Sequence, residues 1–137
     1  MGFLDSLFKK KAGDPLAGMR LKVEENPKDA RLAMDLATQL KAKGQHDEAV
    51  EYARRAAQAH KESGFVQKAV AVLKSALAWG SPTPELLEDL AQRYLELKLK
   101  EDARETLVKL RSLHREAGHI AAVDQVGARI AELGPGR

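Results

Sequence analysis

The pentapeptides His60-Lys61-Glu62-Ser63-Gly64 and His114-Arg115-Glu116-Ala117-Gly118 decide how this chain is read. Each closes an amphipathic run with a glycine, as a helix ended by a left-handed residue does. The displacement that carries His60 onto His114 also sets Leu32 on Leu86, Asp35 on Asp89 and Leu36-Ala37 on Leu90-Ala91. It sets Ala49 on Ala103, Glu51 on Glu105, Val72 on Val126 and Gly80 on Gly134. Self-similarity over such a period marks a repeat architecture, in which each unit buries its apolar face on the next. The expected organisation is an amphipathic amino-terminal helix at 1–11, a linker and capping helix at 12–29, and two tandem three-helix units at 30–83 and 84–137.

The apolar residues within the units recur at helical spacing. Ala30, Ala33, Leu36, Ala37 and Leu40 form one stripe; Leu86, Leu87, Leu90, Ala91 and Tyr94 form its counterpart. No segment reads as a strand. Helix starts are marked by Asp14-Pro15 and Thr83-Pro84, a capping side chain followed by a proline whose missing N–H costs nothing at the first helical position. Gly44, Gly64, Gly80, Gly118 and Gly134 mark left-handed helix ends. The spacing predicts helices near 2–10, 15–25, 29–43, 46–62, 65–79, 84–98, 101–117 and 119–133. Connections of this brevity force neighbours to pack antiparallel.

Inside each unit the residues resemble the tetratricopeptide repeat, a helix-turn-helix with small residues at set points. Asn26-Pro27-Lys28-Asp29 precedes Leu36, Ala37, Gly44, Ala49, Ala53 and Ala56 at matching places. Leu90, Ala91, Tyr94, Ala103, Leu107 and Leu110 repeat them, with Lys98 where the family prefers glycine. A second, offset match runs through Ala56, Ala57, Gly64, Ala69, Leu73 and Ala76, and through Leu110, Gly118, Val123, Ile130 and Pro135. The middle helix of each unit thus serves two overlapping repeats.

The resemblance implies an all-α fold, a right-handed α-solenoid of antiparallel helix pairs. It also implies a protein–protein adaptor that holds a peptide or helix of a partner in a concave groove. The implied groove lining is Arg31, Met34, Thr38 and Lys41, then Arg54, Gln58 and Lys61, then Glu85, Glu88, Gln92 and Leu95, and finally Val108, Ser112 and Arg115. A solvated polar face that binds nothing is the competing reading of the same residues.

The segment Met1-Gly2-Phe3-Leu4-Asp5-Ser6-Leu7-Phe8-Lys9-Lys10-Lys11 lies outside the repeats. Wound as a helix, it gathers Met1, Phe3, Leu4, Leu7 and Phe8 on one face. Phe3, Leu4, Leu7 and Phe8, followed by Lys9, Lys10 and Lys11, suit docking on an anionic membrane surface or on a partner. Folding back as a cap on its own array, or plain disorder, are the alternatives. This gives a second functional reading, a membrane-surface regulatory or assembly protein acting through that helix. The expected location is cytoplasmic, with peripheral contact at the inner membrane surface.

Composition excludes several chemistries. The 137 residues are 44% apolar and 31% charged, enough for a core without covalent staples. With no cysteine there is no disulfide, thiolate zinc site or cysteine nucleophile. His46, His60, His114 and His119 show no metal-ligand spacing, so no metal and no cofactor is expected. The serines lack a nucleophile motif, and no glycine-rich loop follows a strand, so the chain does not read as an enzyme. The net charge of +3 has both signs interspersed, and aromatic platforms beside the basic residues are scarce, which argues against nucleic acid. Oligomeric state has no signal in the sequence.

Overall fold

The computed structural model describes residues 13–80 and 82–135. The amino-terminal helix expected at 1–11, with its docking residues Phe3, Leu4, Leu7, Phe8, Lys9, Lys10 and Lys11, lies outside the described residues. Seven α-helices and no strand are found among the described residues: α1 (Ala17–Glu25), α2 (Ala30–Ala42), α3 (His46–Glu62), α4 (Val66–Ala78), α5 (Pro84–Glu96), α6 (Lys100–Glu116) and α7 (Ile120–Glu132). From α2 onward each helix packs chiefly on the helices before and after it in sequence. The connections are short, so consecutive helices run antiparallel. The displacement that carries His60 onto His114 also carries both limits of α2, α3 and α4 onto those of α5, α6 and α7.

The paired pentapeptides mark a recurring helix end. The Phe65 amide donates to the His60 carbonyl at 2.8 Å and the His119 amide to the His114 carbonyl at 2.9 Å, across Gly64 and Gly118, which hold φ at 87° and 78°. The amides of Gln45 and Leu99 make the same closure onto Leu40 and Tyr94, each at 2.9 Å. These are Schellman caps, and they consume carbonyls that the helix leaves unsatisfied. The fourth cap has Lys98 at φ 61°, a left-handed conformation that glycine adopts without the Cβ penalty.

The helix limits fall within two residues of those expected, and two of the expected end devices differ. Gly80 is not left-handed: α4 ends through Trp79 in the αR region, and the chain leaves towards Thr83, whose hydroxyl oxygen accepts from the Leu86 amide at 3.2 Å to cap α5. Asp14 does not cap α1 at Pro15. Its carboxylate accepts from the Leu16 amide at 2.8 Å in a turn, and α1 begins later than expected, at Ala17. The other oxygen of that carboxylate accepts from Arg20 Nε at 2.9 Å.

Arg20 is the most buried charge described, 1% exposed. It bonds Asp14 and Glu48, and Glu48 takes two of its nitrogens, so α1 is held to the first turn of α3 by a satisfied ionic cluster. Elsewhere the core is apolar and rich in small residues. Ala37, Ala49, Ala53, Ala91 and Ala103 are fully buried where helices cross, which lets the axes approach. The larger apolar cluster runs from Leu16 in front of α1 to Ala103 in α6, and a smaller one joins Leu87 and Ala91 to Leu107, Leu110 and Val126. On α7 the counterparts of Val70, Leu73 and Leu77 are Asp124, Gly127 and Ala131, and Val126 is its sole fully buried residue. That helix adds little to the core.

Candidate functional site

Four helices supply side chains to one cleft. Its floor is apolar, formed by Leu110, Val126 and Ala122, and the cleft encloses about 370 Å³. Around the rim stand Arg54 from α3, Glu85, Glu88 and Asp89 from α5, His114 from α6, and Gln125 and Arg129 from α7. The rim is ordered by ion pairs that run between helices. Arg54 Nε donates to Asp89 at 2.6 Å, and its Nη1 donates to Glu51 at 3.1 Å. Arg129 Nη1 reaches both oxygens of Glu88, at 2.8 and 2.9 Å. Neighbouring carboxylates of α5 are therefore tied to different helices, Asp89 to α3 and Glu88 to α7. The hydrogen bond from Arg54 to Asp89 holds that guanidinium's pKa above its ordinary value, against the opposing pull of burial.

Of the groove residues read from the sequence, the structure brings Arg54, Glu85 and Glu88 into this cleft. Gln58 lies instead in a hollow between α1 and α3 with Arg55, and donates to Glu62 at 2.8 Å. Met34 and Leu95 are half-buried and pack against the larger core cluster. Thr38 donates to the Met34 carbonyl one turn back at 2.9 Å, and Ser112 is half-buried on α6. Arg31, Lys41, Gln92, Val108 and Arg115 are exposed, and Lys61 is half-buried; none of them lines a described cavity.

Asp89, His114, Gln125 and Arg129 complete the cleft although sequence reasoning did not place them there. The available signal was Asp35 on Asp89, an identical acidic pair in the repeat. Arg129 had no signal, because its role depends on how α7 lies beside α5.

A second hollow, of about 360 Å³, is walled by Lys74 and Ala78 of α4 and by Asp102, Glu105 and Lys109 of α6, with Leu87, Leu90 and Tyr94 of α5 beneath. Burial, then the carboxylates of Asp102 and Glu105, raises the pKa of the Tyr94 hydroxyl. Arg55 spans α3 and α1, donating to Glu24 at 2.6 Å with its guanidinium 4.8 Å above the Tyr52 ring. Among the described residues no group of histidines and carboxylates is arranged to hold a metal, and no helix is long and apolar enough to cross a membrane.

No family model matches the chain, and no curated protein matches it. Among solved structures it resembles YrrB, described as a TPR protein with an unusual peptide-binding site. The likeness covers 85% of this chain and 75% of that one, at 16% identity and a TM-score of 0.42. The chain's own geometry gives its class: among the described residues it is an all-α helical array in which the limits of three consecutive helices recur in the next three.

Proposed function

We propose that the chain is a non-enzymatic protein–protein interaction adaptor that holds a peptide or helix of a partner against its helical array. The observation that carries this reading is the cleft of α3, α5, α6 and α7, where an apolar floor is ringed by charges of both signs. Such a site favours an amphipathic segment with apolar anchors. The paired rim charges set orientation and association rate more than affinity. In this reading the two three-helix units at 30–83 and 84–137 form one scaffold. The remaining groove positions inferred from the sequence extend the surface along α2, α3, α5 and α6.

The test is a peptide-display selection on the full chain, followed by titration of the selected peptides. Gln125 is exposed on the cleft wall, so Gln125→Trp fills the cleft without entering the core. The expected result is affinity at least tenfold weaker with an unchanged melting temperature. Selected peptides that bind this variant as they bind the wild type would remove the cleft from the reading.

The apolar face and lysine run of 1–11 support a second reading, peripheral attachment of the adaptor to an anionic membrane surface. Co-sedimentation with vesicles containing acidic lipid, with and without residues 1–11, tests it. Equal sedimentation of both forms rejects it.

A further inference from the structure

We propose that the hollow bounded by the α1–α2 connection, the end of α3 and the first turn of α4 binds a carboxylate side chain of an acidic peptide segment, with the Phe65 ring holding an apolar residue beside it. This hollow is a shallow, open depression of about 730 Å³, larger than one inorganic ion needs. It is separate from the cleft of α3, α5, α6 and α7.

Its charge is unbalanced. Lys28 and Lys68 both line it, and neither has an ion-pair partner among the described residues. The one carboxylate in the lining, Asp29, is already engaged: it accepts from the Leu32 amide at 3.1 Å and caps α2. Beside the lysines stands an apolar wall. Phe65 is 52% exposed at the position before α4, and Lys68 Nζ lies 4.6 Å above its ring. A large aromatic side chain turned outward under a lysine, next to an open electropositive hollow, matches an acidic segment with apolar residues between its charges.

The repeat supplies an internal comparison. At the equivalent place in the second unit, the backbone makes the same helix end and the histidine recurs as His114, so the fold needs those features twice. The chemistry of the hollow does not recur. Lys28, Phe65 and Lys68 have Pro82, His119 and Ala122 as counterparts, and Ala59 has Leu113, which packs into the smaller core cluster. The fold therefore does not require two lysines and an exposed ring at this place. What separates the first hollow from its counterpart is the set of groups an anion with an apolar neighbour would touch.

His60, in the same lining, reports on the occupant. Burial and the Lys68 charge lower its pKa, and the charged groups facing it across the hollow are Lys28 and Asp29 from the α1–α2 connection and Lys68 from α4. A bound carboxylate would oppose the lysines and raise the histidine's midpoint.

The probe is the acetylated, amidated peptide Glu-Leu-Glu-Phe-Glu-Leu-Glu, titrated into the full isotope-labelled chain. Expected are amide shifts confined to 26–30 and 59–68, affinity that falls with added salt, and a rise in the His60 midpoint at saturation. Lys28→Glu with Lys68→Glu should weaken binding more than tenfold, and Phe65→Ser several-fold, with thermal melts showing that both variants fold. Gln125→Trp should bind as the wild type does, which separates this site from the cleft. Equal binding of the peptide with glutamine in place of glutamate, or unchanged affinity in the double lysine variant, overturns the proposal. Inorganic phosphate shifting the same amides as strongly as the peptide at equal ionic strength also overturns it, because the site then takes small anions alone.

Discussion

Replacing Arg20 by methionine perturbs the most buried ionic cluster among the described residues. The Arg20 side chain is 2% exposed and bonds both Asp14 and Glu48. Methionine keeps much of the side-chain volume but removes the charge, so the two carboxylates lose their shared cation at the contact between α1 and α3. Breaking a fully buried pair by removing one partner costs about 3–5 kcal/mol. Here the carboxylate side chains are 14% and 33% exposed, so water recovers part of that cost. The expected loss is about 2–3 kcal/mol, at the foot of the buried-pair range. At ~3–4 °C per kcal/mol for a chain of this length, that lowers the melting temperature by ~6–12 °C. Urea unfolding at neutral pH measures it, and the m-value should stay constant if the native state remains compact. Adding Asp14→Asn and Glu48→Gln should return part of the loss, since the carboxylates then no longer bear charge. A methionine variant within about 0.5 kcal/mol of wild type, the scatter of ordinary surface changes, would refute the view that this cluster fastens α1 to the array.

Lys98→Gly should stabilise the chain by about 0.5–1 kcal/mol, because φ 61° burdens lysine and not glycine; a lower urea midpoint for the variant would contradict this. Ala49→Leu and Ala103→Leu should each cost about 1–3 kcal/mol by overpacking helix crossings where both alanines are fully buried, and unchanged melts in both would contradict close approach there. His60, with its pKa lowered by burial and Lys68, should titrate below the ordinary histidine value of about 6.5 by proton NMR. Between those two values the unfolded chain binds more protons, so this histidine's contribution is present above pH ~6.5 and is lost as the pH falls through its folded midpoint. His60→Gln should flatten that slope in urea titrations, and an unchanged slope would assign it to other groups.

The helical array was legible because its causes are local. Apolar periodicity and the glycines at 44, 64 and 118 act over a few residues, and the displacement of one unit onto the next can be seen without coordinates. The limits of three consecutive helices recur at the same displacement. Gly80 misled because a glycine states only what conformation is permitted. The exit towards Thr83 and Pro84 decided which one was used. Asp14 misled because its carboxylate closes a turn onto the Leu16 amide while its other oxygen holds Arg20, and the regular helix begins only at Ala17.

The sequence by itself determined that the described residues are all-α, roughly where most of their helices stop, and that alanines sit at the crossings, since each rests on spacing or on a single residue's conformational limits. Only the tertiary structure decided which polar faces meet. Arg54 with Asp89, Arg129 with Glu88 and Arg20 with Glu48 each join helices that are distant in the chain, and an amphipathic period fixes a helix's buried side but not its neighbour's register. The groove read along α2, α3, α5 and α6 and the cleft found between α3, α5, α6 and α7 therefore share few residues, because which helices lie side by side is a property of packing and leaves no period in the sequence.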